Sequence, residues 1–221
     1  MDILRHAPQR SGAHRLESRE RLAVCARAHA NGDIDMRRHF LVACLSTLLV
    51  LPAWAAEVGG VKLDDKISLG GKDLVLNGAG IRTKLVFKVY VASLYLPAKA
   101  GDLAGVLASN PRRVQLNLLR DLSADDLAGA LVDGIKDTST PEQAAAVKAQ
   151  TDQLLSIMKS IGQAKTGDVV TMDFVGGETL VAFNGQPKGK IAGEPLNAAL
   201  MRIWLADKPV QADLRKAMLG T

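Results

Sequence analysis

Hydrophobic and polar positions after residue 56 first follow the pattern of β-strands. Between residues 61 and 96, short apolar runs are separated by the turn signals Gly70-Gly71 and Asn77-Gly78. The longest run, residues 85–96, is rich in β-branched and aromatic side chains, and it predicts one long strand or two strands joined by a bulge. Residues 114–118 alternate between apolar and polar side chains, which predicts a further strand.

Helical periods dominate the middle of the chain. Ser123-Ala124-Asp125-Asp126 is an acidic variant of a capping box, and after it apolar residues recur from Leu127 at the spacing of an amphipathic helix. Thr140 is the predicted N-cap of another helix, which runs to about Ile161. Further helices are predicted over residues 102–109, 195–205 and 210–219, and further strands over 168–174, 179–183 and 188–192, with a hairpin at Asn184-Gly185. This order predicts an α+β fold, in which a largely antiparallel sheet is covered on one face by helices.

Residues 36–55 have the layout of a secretory signal peptide. Two arginines follow Met36, an apolar run occupies residues 40–51, and Ala53-Trp54-Ala55 supplies the small residues that signal peptidases require. We therefore expect secretion to the periplasm, with cleavage near Ala55. The alternative is a retained transmembrane helix, for which the apolar run is short.

Residues 1–35 precede this leader and show no sustained helical or strand period. We expect that translation begins at Met36 and that residues 1–35 are a disordered extension produced by a wrongly assigned start. The alternative is a genuine cytosolic extension. The predicted organisation is thus an extension (1–35), a signal peptide (36–55) and one globular domain (56–221).

Charge and composition change once the leader is set aside. The whole chain has 28 basic and 23 acidic side chains, a net charge of +5 that first suggests nucleic acid or an anionic membrane. Residues 1–55 hold eight of the arginines, five of the acids, all four histidines and both cysteines, which leaves residues 56–221 with 20 basic and 18 acidic side chains and a net charge of +2. We therefore expect no nucleic-acid partner, metal or other cofactor, and no thiolate or Ser-His-Asp catalysis. We also expect no membrane span in the mature chain.

Arg82 follows the glycine-rich segment Gly78-Ala79-Gly80. A dinucleotide-binding fingerprint is disfavoured because Thr83 replaces its third glycine and the following segment is strand-like. The glycines instead predict a close backbone approach, with Arg82 presented at the edge of a strand. An arginine against an apolar strand needs an anion or contact with water, and from residue type alone a surface salt bridge is the favoured explanation.

Tyr90 and Tyr95 are the only tyrosines of the chain, and both lie in the predicted long strand. Because they are five residues apart, they point to opposite faces unless a bulge intervenes, whereas Lys88 and Tyr90 share a face. Both tyrosines have the simple alternative of filling the core with satisfied hydroxyls. Trp204 is expected to be a core anchor.

The stretch NGAGIRTKLVFKVYVASLYLP resembles the signature of the chalcone isomerase-like family, in which G-x-G-x-R leads into a K-[FV]-x-x-x-x-[LV]-Y-L strand. Residues 183–220, with GQPKGKIAG, RIWLADKP and DLRKAMLG, are similar to the C-terminal part of the family's bacterial secreted members. The resemblance covers residues 57–220. It implies an open-faced β-sandwich, an antiparallel sheet packed against a layer of helices.

The family contains isomerases, non-catalytic fatty-acid-binding proteins and bacterial members of unclear function. Arg82 matches the isomerases' arginine for the forming ring oxygen, and Tyr90 falls where they have a threonine. The fatty-acid-binding members have this Arg-Tyr pair and use it to hold a carboxylate. The positions of the isomerases' helical Tyr and Asn fall on Leu127 and Gly134, which removes two polar groups that the cyclisation uses. The hairpin between Arg82 and Tyr90 also looks shorter than in the isomerases.

The resemblance therefore implies a non-enzymatic binder of a small amphipathic carboxylate such as a fatty acid. The ligand-binding residues expected from residue type and resemblance together are Arg82, Tyr90, Lys88, Leu127, Leu131 and Ile135, the last three lining an apolar cleft between sheet and helices. Two alternatives stay open: an intramolecular lyase of unknown substrate that uses Arg82 and Tyr90, and a structural envelope module in which Arg82 only forms a salt bridge. The sequence indicates no oligomeric state.

Overall fold

The structure is a computed structural model and describes residues 56–221; the predicted extension and signal peptide lie outside the described residues. The strands are β1 Ala56–Val58, β2 Val61–Leu63, β3 Lys66–Leu69, β4 Lys72–Lys84, β5 Phe87–Leu96, β6 Arg112–Leu118, β7 Leu122–Ser123, β8 Gln163–Ala164, β9 Val169–Val175, β10 Glu178–Phe183 and β11 Gln186–Ala192. The helices are α1 Leu103–Ala108, α2 Ala124–Thr138, α3 Pro141–Ala146, α4 Lys148–Lys159, α5 Glu194–Leu205 and α6 Ala212–Leu219.

Seven strands form one sheet in the order β11-β10-β9-β6-β5-β4-β3, and every neighbouring pair is antiparallel. Along β6, Val114, Leu116 and Leu118 are buried in a core shared with the helices, while the residues between them are partly exposed. The predicted α+β fold, an antiparallel sheet with a layer of helices, is confirmed. No helix within residues 56–221 has the length and apolar character needed to cross a bilayer.

Helix α5 lies at the centre of the helical layer and buries eight of its twelve residues. Helix α2 packs closely against it, because Gly134 presents no side chain: a Cβ at this position would lie 2.9 Å from Cγ2 of Ile203. The predicted capping box of α2 is confirmed, since the Ser123 hydroxyl accepts a hydrogen bond from the amide of Asp126 and the Asp126 carboxylate accepts one from the amide of Ser123.

Helix α6 lies directly on β4. A Cβ at Gly78 would lie 2.1 Å from the carbonyl oxygen of Ala217, and a Cβ at Gly80 would lie 2.7 Å from Cβ of Ala217. The close backbone approach predicted from the glycine-rich segment is therefore confirmed, and its partner is the C-terminal helix.

The predicted turn at Asn77-Gly78 is wrong, because both residues lie within β4, at a register shift between Leu76 and Gly78. The physical reason is the buried Asn77 amide, whose Nδ2 donates to the Met218 carbonyl at 2.8 Å and to the Ala100 carbonyl at 3.0 Å. Its Oδ1 accepts from the Ala100 amide at 2.8 Å. The side chain thus joins β4 to α6 and to the segment after β5, and does not stabilise a turn of its own chain.

Two other predicted elements differ in the structure: one begins later than predicted, and the other is broken in two. The run 85–96 is a strand only from Phe87, because Leu85 and Val86 form the loop between β4 and β5, with Leu85 at a positive φ of 56°. The predicted helix over 140–161 breaks at Val147, where φ is −108° and ψ is 9°. Helix α3 buries none of its residues, so the chain bends there to bring the Val147 side chain into the core before α4.

We expect Gly78→Ala to lower the free energy of unfolding by about 2–4 kcal/mol, because the new methyl group would collide with the backbone of α6 and not with a movable side chain. Gly129→Ala in α2 is the matched control, since a Cβ at this position meets no atom within 4 Å. The control should raise stability by about 0.5–1 kcal/mol, the usual gain for alanine in a helix. Urea unfolding curves measure both values, and an unchanged midpoint for Gly78→Ala would show that α6 does not rest on β4.

Candidate functional site

Arg82 and Tyr90 face each other across two neighbouring strands. They are paired directly in the register of β4 and β5, close to the two-residue loop that joins these strands. Directly paired residues of an antiparallel sheet point to the same face. Tyr90 packs against the core beneath the helices, so Arg82 lies on the helical face as well. The prediction that Tyr90 and Tyr95 lie on opposite faces is confirmed, because Tyr95 is buried outside this core.

The Tyr90 hydroxyl is held by Trp204 of α5, whose indole Nε1 donates a hydrogen bond to it at 3.1 Å. Burial raises the pKa of Tyr90 above its ordinary value, although the Trp204 hydrogen bond and the nearby Arg82 guanidinium act in the opposite direction. The phenol is therefore neutral at neutral pH. Because it accepts from Trp204, its own proton is available for an acceptor on a ligand.

Arg82 is surrounded by neutral partners. Its Nη1 donates to the Thr83 carbonyl and, at 3.3 Å, to Oε1 of Gln211. No carboxylate within residues 56–221 lies at salt-bridge distance from its guanidinium. The salt bridge favoured from residue type alone is thus not formed in the described part of the chain.

Gln211, the residue before α6, fixes this end of β4. Its Oε1 accepts a hydrogen bond from the Thr83 amide at 2.8 Å, and its Nε2 donates to the Ile81 carbonyl at 3.1 Å. These bonds occur at a second register shift of β4, between Arg82 and Thr83. The Gln211 side chain therefore holds the backbone on both sides of Arg82.

A second arginine of the sheet has the opposite environment. Arg112 on β6 is 2% exposed, and its guanidinium lies 3.3 Å from a Glu194 carboxylate oxygen and 5.2 Å from the centroid of the Phe174 ring. It also donates to the Ser109 carbonyl at 2.8 Å. The charge of Arg112 is thus balanced within the fold, whereas that of Arg82 is not balanced by any described carboxylate.

The other four predicted ligand-binding residues lie in two different places, one near the hairpin loop and three in the core. Lys88 is exposed and lies opposite Thr83, one step nearer to the hairpin loop than Tyr90. Leu127, Leu131 and Ile135 of α2 are buried in the core, with exposures of 5%, 6% and 3%. They are packed core residues here and not the walls of an open cleft, because the close contact between α2 and α5 fills the space between sheet and helices.

Two cavities lie elsewhere on the domain. One, of about 250 Å³, is lined by Arg112, Phe174, Glu194 and Asn197 among others. The other, of about 460 Å³, lies where α2 meets α3 and is lined by residues such as Lys136, Pro141 and Lys148. Neither is lined by Arg82 or Tyr90. Within residues 56–221, no three His, Cys, Asp or Glu side chains are grouped as metal ligands.

Two residues of this site are not identified as such by the sequence. Trp204 is expected only as a core anchor, and its 1% exposure agrees with that, but its indole N–H also holds Tyr90. A buried indole N–H needs a hydrogen-bond acceptor, and this requirement is the only signal in the sequence that Trp204 would also hold a polar group. Gln211 precedes a helix and belongs to no periodic pattern, so no signal in the sequence connects it with Arg82.

Comparison with known proteins identifies a family and solved structures of the same fold. The sequence profile of a family described as chalcone isomerase-like matches residues 55–220. A crystal structure of a fatty-acid binding protein from Arabidopsis thaliana superposes with a TM-score of 0.58 at 12% identity, over 72% of this chain and 92% of the plant chain. At this identity the likeness shows the fold. No curated protein sequence matches the chain.

We expect tyrosine ionisation in the native protein to occur above the ordinary value of about 10. Burial raises the pKa of both Tyr90 and Tyr95, and the chain has no other tyrosine. Since the unfolded chain then loses the phenolic proton first, the tyrosines' contribution to stability is complete below about pH 10 and declines as the pH rises toward the folded pKa. The loss is at most about 1.4 kcal/mol per pH unit for each tyrosine.

Tyrosinate absorbance, combined with urea unfolding at alkaline pH, measures this effect. Tyr90→Phe should remove one ionisation step and reduce the alkaline loss of stability, and Tyr95→Phe is the matched control for the other face of the sheet. A native Tyr90 that titrates at the same pH as in the urea-unfolded chain would contradict the burial described above.

Proposed function

We propose that this chain, which belongs to the chalcone isomerase-like family, is a non-catalytic binder of a fatty acid. The observation that carries the proposal is the Arg82 guanidinium, which has only neutral partners among the described residues and lies beside the Tyr90 hydroxyl. A partly buried cation of this kind favours an anion. The plant protein of the same fold, named as a fatty-acid binding protein, supports the choice of a long-chain carboxylate.

The polar end of the site offers the donors that a carboxylate needs. Nη1 of Arg82 is already engaged by Thr83 and Gln211, which leaves Nη2 and Nε for a bidentate pair of hydrogen bonds to the two carboxylate oxygens. The Tyr90 proton supplies a third hydrogen bond, because Trp204 already donates to that hydroxyl. Lys88 lies exposed at the rim and adds attraction for an approaching anion.

The acyl chain enters the apolar layer beneath α2. Leu127, Leu131 and Ile135 are the side chains that it must displace, since they are packed in the core. Each methylene that leaves water contributes roughly 0.8 kcal/mol, which offsets the packing energy that α2 gives up as it moves away from the sheet. Binding is therefore coupled to a local repacking of α2.

Helix α2 also supplies the argument against an isomerase. Leu127 and Gly134, at the positions where the resemblance places the isomerases' Tyr and Asn, are apolar and buried. A side chain at position 134 would collide with Ile203, so this position cannot present a polar group to a ligand without a shift of α5. Together these positions support binding without catalysis.

We expect the purified protein to release a fatty acid on organic extraction, identified by mass spectrometry, and to bind added palmitate. Arg82→Gln should lower the affinity for palmitate roughly 10- to 100-fold, the range for loss of hydrogen bonds to a charged group. The same substitution should leave the affinity for methyl palmitate unchanged, because the ester has no carboxylate to pair with Arg82.

Arg202→Gln is the matched control, since it removes an equal charge from the last turn of α5 and should leave palmitate affinity as in the parent. The proposal fails if the parent neither carries nor binds a fatty acid, or if Arg82→Gln binds palmitate as tightly as the parent does. Turnover of a chalcone above the spontaneous rate would instead support the lyase alternative.

We also propose that the protein acts in the periplasm. The support for this is the sequence of residues 36–55, with its basic start, apolar run and small residues before Ala56. The domain would fold there without the disulfides that this compartment permits, since residues 56–221 contain no cysteine.

Fractionation of cells that express the full chain tests this localisation. We expect the protein in the periplasmic fraction with an N-terminus at or within a few residues of Ala56, determined by mass spectrometry of the intact protein. Ala55→Leu should block processing, because the cleavage site requires a small residue at this position. Cytosolic protein with residues 36–55 still attached would refute the proposal.

A further inference from the structure

The loop between β4 and β5 presents three apolar side chains to solvent. Leu85 is 89% exposed, Val86 is 84% exposed and Phe87 is 54% exposed, and within residues 56–221 these are the only large hydrophobic residues that are exposed. They are consecutive and occupy the end of the hairpin that also carries Arg82 and Tyr90. We call residues 85–87 the hairpin tip.

The sequence of the hairpin tip is not explained by the turn that it forms. Five two-residue loops close hairpins of directly paired strands in the described part of the chain, and the other four are Gly59-Gly60, Gly70-Gly71, Gly176-Gly177 and Asn184-Gly185. In those four, both residues have positive φ, the conformation for which glycine and asparagine are suited. In the fifth, Leu85 has a positive φ of 56°, which is unfavourable for a bulky side chain. The tip therefore combines backbone strain with apolar exposure.

Basic side chains surround the hairpin tip. Lys84 and Lys88 flank it in sequence, and the Arg120 guanidinium lies 4.8 Å from the centroid of the Phe87 ring. Within residues 56–221, none of these three cations takes part in a salt bridge. The carboxylate of Asp126 lies near Lys84 and Arg120, but it is hydrogen-bonded to Ser123. The hydrogen bonds from Ser123 lower the pKa of Asp126 more than the charges of Lys84 and Arg120 do.

We propose that the hairpin tip docks the protein on the surface of a lipid bilayer that contains anionic lipids. Leu85, Val86 and Phe87 would enter the boundary between headgroups and acyl chains, while Lys84, Lys88 and Arg120 would pair with anionic headgroups. Apolar side chains ringed by cations are complementary to that boundary. This inference does not rest on the nature of the ligand at Arg82, although docking would bring the Arg82 site to the membrane.

A protein partner is less suited to the hairpin tip. A stable protein–protein interface buries about 800 Å² on each partner and surrounds a buried centre with a polar rim. Three side chains at the end of a narrow hairpin do not provide such a surface, whereas insertion into a fluid boundary needs no matching shape. The bilayer is therefore the occupant that both the geometry and the charge favour.

Vesicle co-sedimentation of the full chain tests the proposal, with phosphatidylcholine vesicles that contain or lack phosphatidylglycerol. The double variant Leu85→Asn/Val86→Gly gives the tip the turn sequence of Asn184-Gly185, so it should unfold at the same or a higher temperature while binding to the anionic vesicles falls at least tenfold. Lys84→Gln/Lys88→Gln should reduce binding roughly tenfold or more and remove the preference for phosphatidylglycerol.

Lys66→Gln/Lys99→Gln is the matched control, because both lysines are exposed and lie about 30 Å away at the other end of the strands, at about 3.3 Å per residue. It should bind vesicles as the parent does. All variants keep residues 1–55, so any contribution of that segment is the same in each.

A tryptophan at the tip gives a position-specific measurement. In a Trp54→Phe background the buried Trp204 contributes the same emission to every variant. The emission that Val86→Trp adds should shift to the blue on anionic vesicles and be quenched by brominated lipids, whereas the emission that Lys99→Trp adds should not. The proposal is overturned if both tip variants bind vesicles as the parent does and the tryptophan at position 86 is not quenched. It is equally overturned if the tip variants abolish only a concentration-dependent dimer, which would assign the tip to a second copy of the chain.

Discussion

Much of the site depends on the contact between a strand and a helix that two glycines permit. Without side chains at Gly78 and Gly80, the backbone of α6 lies on β4 at a separation that no larger residue allows. Gln211 immediately precedes this helix, so the position of α6 on β4 determines where the side-chain amide of Gln211 hydrogen-bonds to β4. The orientation of Arg82 is thus a consequence of packing at positions two and four residues away. A larger residue at Gly78 or Gly80 would therefore change the position of Arg82 without contacting it.

The sequence predicts those features that local chemistry determines. The period of α2, its capping residues and the Asn184-Gly185 hairpin are predictable, because each depends on neighbouring residues. The antiparallel sheet is predictable as a class from the order of strands and helices, but the pairing of β6 with the distant β9 is not. The role of Asn77 is not, since an Asn-Gly pair has the same local signature whether its amide closes a turn or, as here, bonds to Ala100 and Met218. The break at Val147 and the loop at Leu85 are likewise set by tertiary structure against the local helix and strand propensities of the sequence.

The candidate site is predictable in its central pair, Arg82 and Tyr90, but not in Trp204, Gln211 or the charge environment around the pair. Arg82 and Tyr90 are identified from residue type and family resemblance, and the register of β4 and β5 places them side by side. Whether an arginine meets a carboxylate depends on which strands and helices become neighbours, and no pattern in the chain reports that. Arg112 and Arg82 illustrate the difference: the start of α5 places Glu194 beside Arg112, while the N-terminus of α6 places only an amide beside Arg82. The Arg112 charge is paired within the fold, whereas the partly buried Arg82 guanidinium has no carboxylate partner among the described residues.

Strand β4 is fastened at two points, by Asn77 to α6 near its middle and by Gln211 near its end. Neither side chain bonds to β5, so the alignment of β4 with β5 comes from the pairing of the two strands themselves. The β4–β5 loop takes part in neither tether and, unlike the other four hairpin loops, contains no glycine or asparagine. The residues of such a loop can be exchanged, in evolution or by design, to change what the protein presents to solvent while the rest of the fold is kept.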